Sequence, residues 1–385
     1  MAAVMPIGAL LLSVIYLTPP RDFIKATLTA VFSPKSLDMT MTLRLTMVME
    51  HILRTSGMLT RMVSSLSAAL PDRRVVMAAM PALIGLLPSP GGAVFSAPMV
   101  NEAAGDASIK PEQKAMINYW YRHIWEYISP LYPGIILVAG ITGLSTRTLF
   151  IANLPCALSV AGWGVLFCFR GIDRQEVPQV QAARSGEVRV FLAMISPILF
   201  ALLLVVLFQV NPVLALGGTV IVLYLYHRYS AAMILKNLRE SVSGRALFLV
   251  IGILIFQEVL RVSGALAGIS AFFVSSHMPV YLILILIPFI AGLMTGLTVG
   301  FVGITFPLLL PLMGAGAGAG AAAPSPGLVA LAFGAGFAGV MLSPVHLCYI
   351  LTCEYFQTDI ARVYHRLFLP SALVLAAALI PLYFY

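Results

Sequence analysis

Arg122, His123 and Glu126 bring ionisable side chains into one short aromatic stretch, YWYRHIWEY (119–127). Arg122 and Glu126 are four residues apart, so on an α-helix they share a face and can form an ion pair. His123 can change its charge near neutral pH. Because ionisable residues inside a membrane segment usually mark function, we expect these three to take part in proton or charge coupling.

The same stretch has a second interpretation, which the sequence leaves open. Its aromatic residues are typical of a belt at the membrane interface, with the Arg122 guanidinium extended to the lipid headgroups. The aromatic residues concerned are Trp120, Tyr121, Trp125 and Tyr127. The two interpretations differ in whether the stretch lies inside the protein or at its lipid boundary.

Helix breakers interrupt four apolar segments. Ser129-Pro130 and Ser343-Pro344 fall within two of them, and PSPGG (88–92) and TGLTVG (295–300) divide the other two into short pieces. Non-helical backbone at membrane depth is tolerated only when it is buried in protein or lines a watery cavity. Broken helices also free N–H groups that can hold an anion and carbonyls that can coordinate Na⁺. A lone Ser-Pro pair is also compatible with a simple kink.

We therefore predict substrate and ion ligands at two hairpin tips and two helix breaks. The candidate residues are Ser89, Pro90, Gly91, Gly92, Thr295, Gly296, Thr298, Ser129, Pro130, Ser343, Pro344 and His346. The pattern identifies no particular metal, although Na⁺ fits the tips and breaks.

Composition sets the class of the protein. Hydrophobic residues form 60% of 385 positions and charged residues 10%. Several apolar runs approach the ~20 residues that cross a bilayer, which predicts an all-α polytopic membrane protein. The net charge of +8 then reports orientation, not nucleic-acid binding. The four cysteines lie in or beside apolar segments and are read as packing residues.

The chain repeats itself with a nearly constant offset. The matched segments are LRTSGML (53–59) with LRVSGAL (260–266), ISPLYPGIIL (128–137) with LSPVHLCYIL (342–351), and LPCALSVA (154–161) with LPSALVLA (369–376). We predict two repeats, 1–170 and 188–385, joined by a cytoplasmic linker, 171–187. The first helix of the second repeat has no evident counterpart in the first.

The distribution of the 23 Lys and Arg residues predicts the topology. If both short pairs re-enter the membrane, most of these residues fall on one side, which the positive-inside rule makes cytoplasmic. Each repeat then has an odd number of crossings, so the repeats are inverted. We expect about nine full crossings and two hairpins. The N-terminus is cytoplasmic and the C-terminus outside, in the inner (plasma) membrane.

Three segments carry a resemblance to known proteins: PALIGLLPSPGGAVFSAPMVNEA (81–103), NYWYRHIWEYISPLYPG (118–134) and MLSPVHLCYILTCEYF (341–356). With the inverted hairpin repeats, they resemble the ion transporter superfamily, which includes gluconate permeases, divalent-anion/sodium symporters, citrate carriers and arsenite pumps. Within it they look like one uncharacterised membrane family, a domain of unknown function.

The resemblance implies a secondary transporter for a small organic anion, with Na⁺ or H⁺ as coupling ion and elevator-type alternating access. The tips lack the Ser-Asn-Thr signature of dicarboxylate carriers.

An inorganic ion carrier or a channel is the alternative, and a membrane enzyme is disfavoured because no His-Glu-x-x-His or Gly-x-Gly-Asp motif occurs. We expect no enzymatic activity and no cofactor beyond the coupling ion. The expected partners are the anion, the lipid bilayer and a second copy in a homodimer.

Overall fold

The computed structural model describes residues 4–87, 92–105, 109–172, 181–241, 244–265, 268, 278–314 and 323–385. Across these residues the regular structure is entirely helical, which confirms the predicted all-α class. The helices of the first half are α1 (Val4–Ile15), α2 (Pro20–Phe32), α3 (Pro34–Thr55), α4 (Met58–Ala69), α5 (Arg73–Ile84), α6 (Gly92–Ala104), α7 (Pro111–Arg122), α8 (Pro133–Thr142) and α9 (Thr146–Cys168).

The second half continues with a similar series of helices. They are α10 (Gln181–Val206), α11 (Pro212–Tyr226), α12 (Ala231–Glu240), α13 (Gly244–Val262), α14 (Val280–Thr295), α15 (Thr298–Leu309), α16 (Pro326–Met341), α17 (Leu347–Tyr355) and α18 (Ile360–Ala377). Short 3-10 turns occupy Ile124–Tyr127, Leu310–Met313 and Ile380–Tyr383.

Proline and short polar residues set many helix starts. Proline is the first residue of α3, α8 and α16, where its missing N–H has no intrahelical partner to lose. Asp359 caps α18 by accepting a hydrogen bond from the Ala361 N–H at 2.8 Å. This cap sets the start of the last helix at Ile360. In addition, α10 begins at Gln181, inside the stretch predicted as a linker.

The outer surface of the described residues fits a lipid environment. The helical segments Thr146–Cys168, Gly186–Val206 and Ile360–Tyr383 are long and apolar enough to cross a membrane, and several shorter helices are equally apolar. Large apolar side chains such as Leu158, Leu214 and Leu225 are exposed on this surface. Water would penalise so much exposed apolar area, whereas lipid does not, so the chain is a membrane protein.

Helices of the two halves pack on one another in reciprocal pairs. α1 and α2 pack against α13, while α11 and α12 pack against α3. Likewise α6 packs against α17, and α15 packs against α8. α1–α3 and α5–α9 follow the same order as α11–α13 and α14–α18. The stretch equivalent to α4 lies largely outside the described residues.

Two glycines at equivalent positions make equivalent backbone contacts. A Cβ atom on Gly85 would collide with the carbonyl oxygen of Arg122, and a Cβ atom on Gly292 would collide with that of Gly336. Only glycine allows the backbones to approach this closely. The shared contact supports the repeat, whereas the inverted orientation and the number of crossings stay predictions.

Candidate functional site

Both predicted helix breaks are present in the structure. The first lies between α7, which ends at Arg122, and α8, which begins at Pro133. The second lies between Met341 and Leu347, the end of α16 and the start of α17. The Ser129-Pro130 and Ser343-Pro344 pairs fall inside these breaks. A new helix starts directly after each break, so a helix N-terminus lies beside each Ser-Pro pair.

The first break starts earlier than the Ser-Pro pair suggests. His123 is the C-cap of α7, and Glu126 lies in the 3-10 turn Ile124–Tyr127. Arg122 and Glu126 therefore do not share the face of one α-helix, and that part of the sequence prediction is wrong. The 3-10 turn instead brings a Glu126 oxygen to 3.7 Å from Nε2 of His123. Arg122 still interacts electrostatically with Glu126.

The tip of the second hairpin contacts both breaks. Between α14 and α15, Gly296 adopts a φ of +60°, and a Cβ atom there would lie 2.9 Å from the backbone nitrogen of His346. Thr298 donates a hydrogen bond to Oε2 of Glu126 at 2.9 Å. On Gly134, near the start of α8, a Cβ atom would collide with the Thr298 side chain. One hairpin tip is thus seated against both interrupted helices.

Three helix N-termini meet at this contact. α8, α15 and α17 begin at Pro133, Thr298 and Leu347, and the contacts of Gly134 and Gly296 join these starts. A helix N-terminus carries unpaired N–H groups and the positive end of the helix dipole. Three such ends at one place favour a negative charge, and the Glu126 carboxylate lies there.

A pair of histidines crosses from one break to the other. Nε2 of His123 lies 3.2 Å from Nε2 of His346. Nδ1 of His123 donates a hydrogen bond to the Tyr119 carbonyl at 2.6 Å, and Nδ1 of His346 donates one to the Val340 carbonyl at 3.2 Å. Cys348 completes a buried group with these two histidines. These contacts place the side chains of both breaks in one cluster.

The aromatic stretch lies inside the protein. Trp120, Tyr121 and Tyr127 are buried, as is Arg122. The indole of Trp120 donates a hydrogen bond to the Val160 carbonyl at 2.8 Å. An interfacial belt with an extended Arg122 would leave these groups at the lipid boundary, so that interpretation is wrong.

The remaining predicted ligands have different positions. The buried hydroxyls of Ser129 and Ser343 each accept a hydrogen bond from the backbone N–H two residues later, at 3.3 Å. Pro130 is buried and Pro344 is exposed. Among the residues that the structure describes, the Thr295 hydroxyl hydrogen-bonds within its own turn. In the first hairpin, Ser89, Pro90 and Gly91 lie outside the described residues, and Gly92 begins α6.

Two buried polar groups, one in the site and one on the helix before it, were missed by the sequence analysis. Cys348 was read as a packing residue, although its position two residues after His346 was a usable signal. Asn118 links three elements: it accepts a hydrogen bond from Ser96 at 2.6 Å and donates to the Ala93 carbonyl and the Thr352 hydroxyl, both at 3.1 Å. No local pattern around Asn118 indicates these distant partners.

Fold and site together define an all-helical membrane protein with two interrupted helices around a buried polar cluster. The chain belongs to the family described as "Protein of unknown function (DUF401)", whose model matches residues 5–384. The match confirms the resemblance to an uncharacterised membrane family. No curated protein matches the chain.

A solved structure shares the fold. The chain is similar to the YdaH transporter of Alcanivorax borkumensis, described as having an unusual topology, with a TM-score of 0.67 and 13% sequence identity. The alignment covers 98% of this chain and 96% of that chain. At this identity the likeness shows the fold, which is therefore one that a membrane transporter uses.

Proposed function

We propose that the protein is a secondary active transporter for a small organic anion, such as a carboxylate, with Na⁺ or H⁺ as the coupling ion. Within this proposal it is a member of the ion transporter superfamily and works by an elevator-type shift of its hairpins. It acts in the inner membrane with a cytoplasmic N-terminus and an external C-terminus, as a homodimer, and catalyses no reaction.

The meeting of three helix N-termini at Thr298, Gly134 and His346 carries this proposal. Helix N-termini bind anions through backbone N–H groups, and discontinuous helices hold anionic groups in this way in secondary transporters. The fold shared with the YdaH transporter supports the same class.

Glu126 occupies the position at which we expect an anion to bind. Its carboxylate accepts the Thr298 hydrogen bond at the start of α15. An anionic group entering the same place competes with Glu126 for the hydroxyl and the helix dipole. The buried Arg122, which interacts electrostatically with Glu126, adds a positive charge that lowers the cost of bringing a second anion nearby.

A thermal-shift screen of organic acids, with and without Na⁺, identifies the anion and tests Na⁺ coupling together. Uptake into proteoliposomes under a Na⁺ or pH gradient then measures transport. Saturable uptake that follows one gradient supports the proposal. Conductance at channel rates would contradict it, and saturable uptake of inorganic ions alone would favour the inorganic carrier.

Thr298→Val tests the site itself, and Thr295→Val is its matched control. Removing the Thr298 hydroxyl deletes the donor that the anion takes over from Glu126, and we expect affinity for the anion to fall severalfold. In the described part of the chain the Thr295 hydroxyl bonds within its own turn, so that variant should bind as the wild type does. Equal effects of the two variants would place the anion elsewhere.

A further inference from the structure

We propose that His123, His346 and Cys348 form a binding site for a divalent transition-metal ion of the zinc class. Their ligand atoms all lie within 4.8 Å of one another. The three residues are 0%, 7% and 8% exposed. His123 comes from the first helix break, and the other two come from the second.

The hydrogen bonds of the histidines fix which nitrogens are free to bind. A backbone carbonyl only accepts hydrogen bonds, so Nδ1 of His123 must carry a proton to contact the Tyr119 carbonyl at 2.6 Å. The same holds for Nδ1 of His346 at the Val340 carbonyl. In neutral rings both Nε2 atoms therefore carry lone pairs, and these face each other at 3.2 Å.

Two lone pairs at this distance repel unless a positive charge lies between them. In a tetrahedral site with metal–nitrogen distances of 2.0–2.1 Å, two ligand nitrogens are about 3.3–3.4 Å apart. The observed 3.2 Å between the Nε2 atoms is close to that spacing. A shared proton could also join two rings, but it would not require a thiol at the same place. The convergence of Cys348 favours a metal ion.

The donor set selects the class of ion. Imidazole and thiolate ligands suit Zn²⁺, Co²⁺ and related ions, whereas Mg²⁺ and Ca²⁺ prefer oxygen. A carboxylate oxygen of Glu126 lies 3.7 Å from Nε2 of His123 and is within reach as a fourth donor. Bonds from both Nδ1 atoms to backbone carbonyls are the outer-shell contacts that orient metal-binding histidines.

Tyr119, which orients His123, is itself fixed by contacts with the second helix break. Tyr119, whose carbonyl accepts from His123, donates its hydroxyl to the Met341 carbonyl at 3.0 Å. Its ring packs edge-on against both histidine rings, with centroids 4.7 and 5.4 Å away. An ion bound here would connect the two helix breaks. The site does not depend on transport, so it can be tested on protein without a known substrate.

Cobalt titration of untagged, full-length protein in detergent, after treatment with a chelator, tests the site. We expect one Co²⁺ per chain, a visible spectrum typical of four-coordinate cobalt and a thiolate-to-cobalt band in the near ultraviolet. Zn²⁺ should displace Co²⁺ and abolish both. Cys348→Ser should remove the thiolate band and weaken binding roughly tenfold or more.

Cys353→Ser is the matched control, because Cys353 is buried on the same helix α17 but lies outside the cluster. It should bind Co²⁺ as the wild type does. A readout on unaltered protein covers the case in which Cys348→Ser does not fold. Under prolonged alkylation, which reaches buried thiols through local opening, Zn²⁺ should protect Cys348, and not Cys353, as mapped by mass spectrometry.

Absence of saturable binding, a cobalt spectrum without the thiolate band, or equal alkylation of Cys348 with and without Zn²⁺ would overturn the metal site. None of these results bears on anion uptake, so the metal site and the proposed transport function fail separately.

Discussion

The two helix breaks occupy equivalent positions in the two halves, yet they differ in access. Leu131 in the first break is 1% exposed, whereas its equivalent Val345 is 56% exposed. Beside Val345, Pro344 lines a groove of about 690 Å³ along the start of α18. The first break is enclosed by protein, and the second has one open side.

The breaks also differ in chemistry. His123 and Glu126 in the first half are matched by the apolar Phe337 and Val340 in the second. The glycine contacts of α5 and α14, in contrast, are the same in both halves. The two halves thus share these backbone contacts while the polar side chains differ, and the site combines an enclosed, charged break with an open one.

The largest expected effect tests the backbone contacts that Gly85 and Gly292 make in the two halves. Gly85→Ala and Gly292→Ala each place a methyl group against a backbone carbonyl, and overpacking of this kind costs about 1–3 kcal/mol or more. We expect both variants to lose folded protein, or to melt well below the wild type, in thermal unfolding in detergent. If only one of the two variants is destabilised, the glycine contacts of α5 and α14 are not equivalent.

Gly218→Ala is the control for that pair. A Cβ atom on Gly218 in α11 meets nothing within 4 Å. Alanine in a helix interior is favoured over glycine by roughly 0.5–1 kcal/mol, so this variant should be as stable as the wild type or slightly more so.

A smaller effect tests the charge that distinguishes the first break. Glu126→Gln keeps an acceptor for Thr298 but removes the negative charge that competes with an anion. At about 4 Å that repulsion is worth roughly 1–4 kcal/mol. We expect affinity for the anion to rise fivefold or more, which corresponds to a gain of about 1 kcal/mol in binding free energy. The dependence of the melting temperature on anion concentration measures this affinity.

Glu354→Gln makes the same change of charge at an exposed position of α17 outside the cluster. It should leave anion affinity unchanged. Weaker binding in Glu126→Gln would show that Glu126 helps to hold the ligand and does not compete with it.

The smallest effect tests the difference in access. Val345→Cys should react with a maleimide several times faster than Leu131→Cys, because reactivity requires an accessible thiolate. The native cysteines in both variants are buried, and mass spectrometry identifies the labelled peptide. Similar rates at the two positions would mean that the breaks are equally accessible.

Local sequence signals were sufficient to predict much of this fold. The Ser129-Pro130 and Ser343-Pro344 pairs marked both helix breaks. Proline alone does not decide a break, since Pro155 and Pro288 lie inside continuous helices. The second hairpin tip followed from Gly296, which adopts the positive φ that favours glycine. The constant offset between matched segments predicted two repeats, and the equivalent backbone contacts of Gly85 and Gly292 fit that prediction.

The features that were missed depend on distant contacts. α7 ends eight residues before Pro130, where no breaker occurs, and its aromatic residues are buried. Aromatic residues suit both a membrane interface and a protein core, so the stretch was ambiguous. The meeting of His123 with His346 and Cys348 joins positions more than half the chain apart, which no helical periodicity reveals.

The reciprocal packing of the halves has a consequence for how the chain is made. Asn118 and α6 find Thr352 and α17 only after nearly the whole sequence has been synthesised. Until then the first hairpin lacks the helix that covers it, and the buried amide of Asn118 lacks one of its partners. Membrane insertion can proceed from the N-terminus, but the first half reaches its final packing only when the second half arrives, so assembly is completed from the C-terminal end.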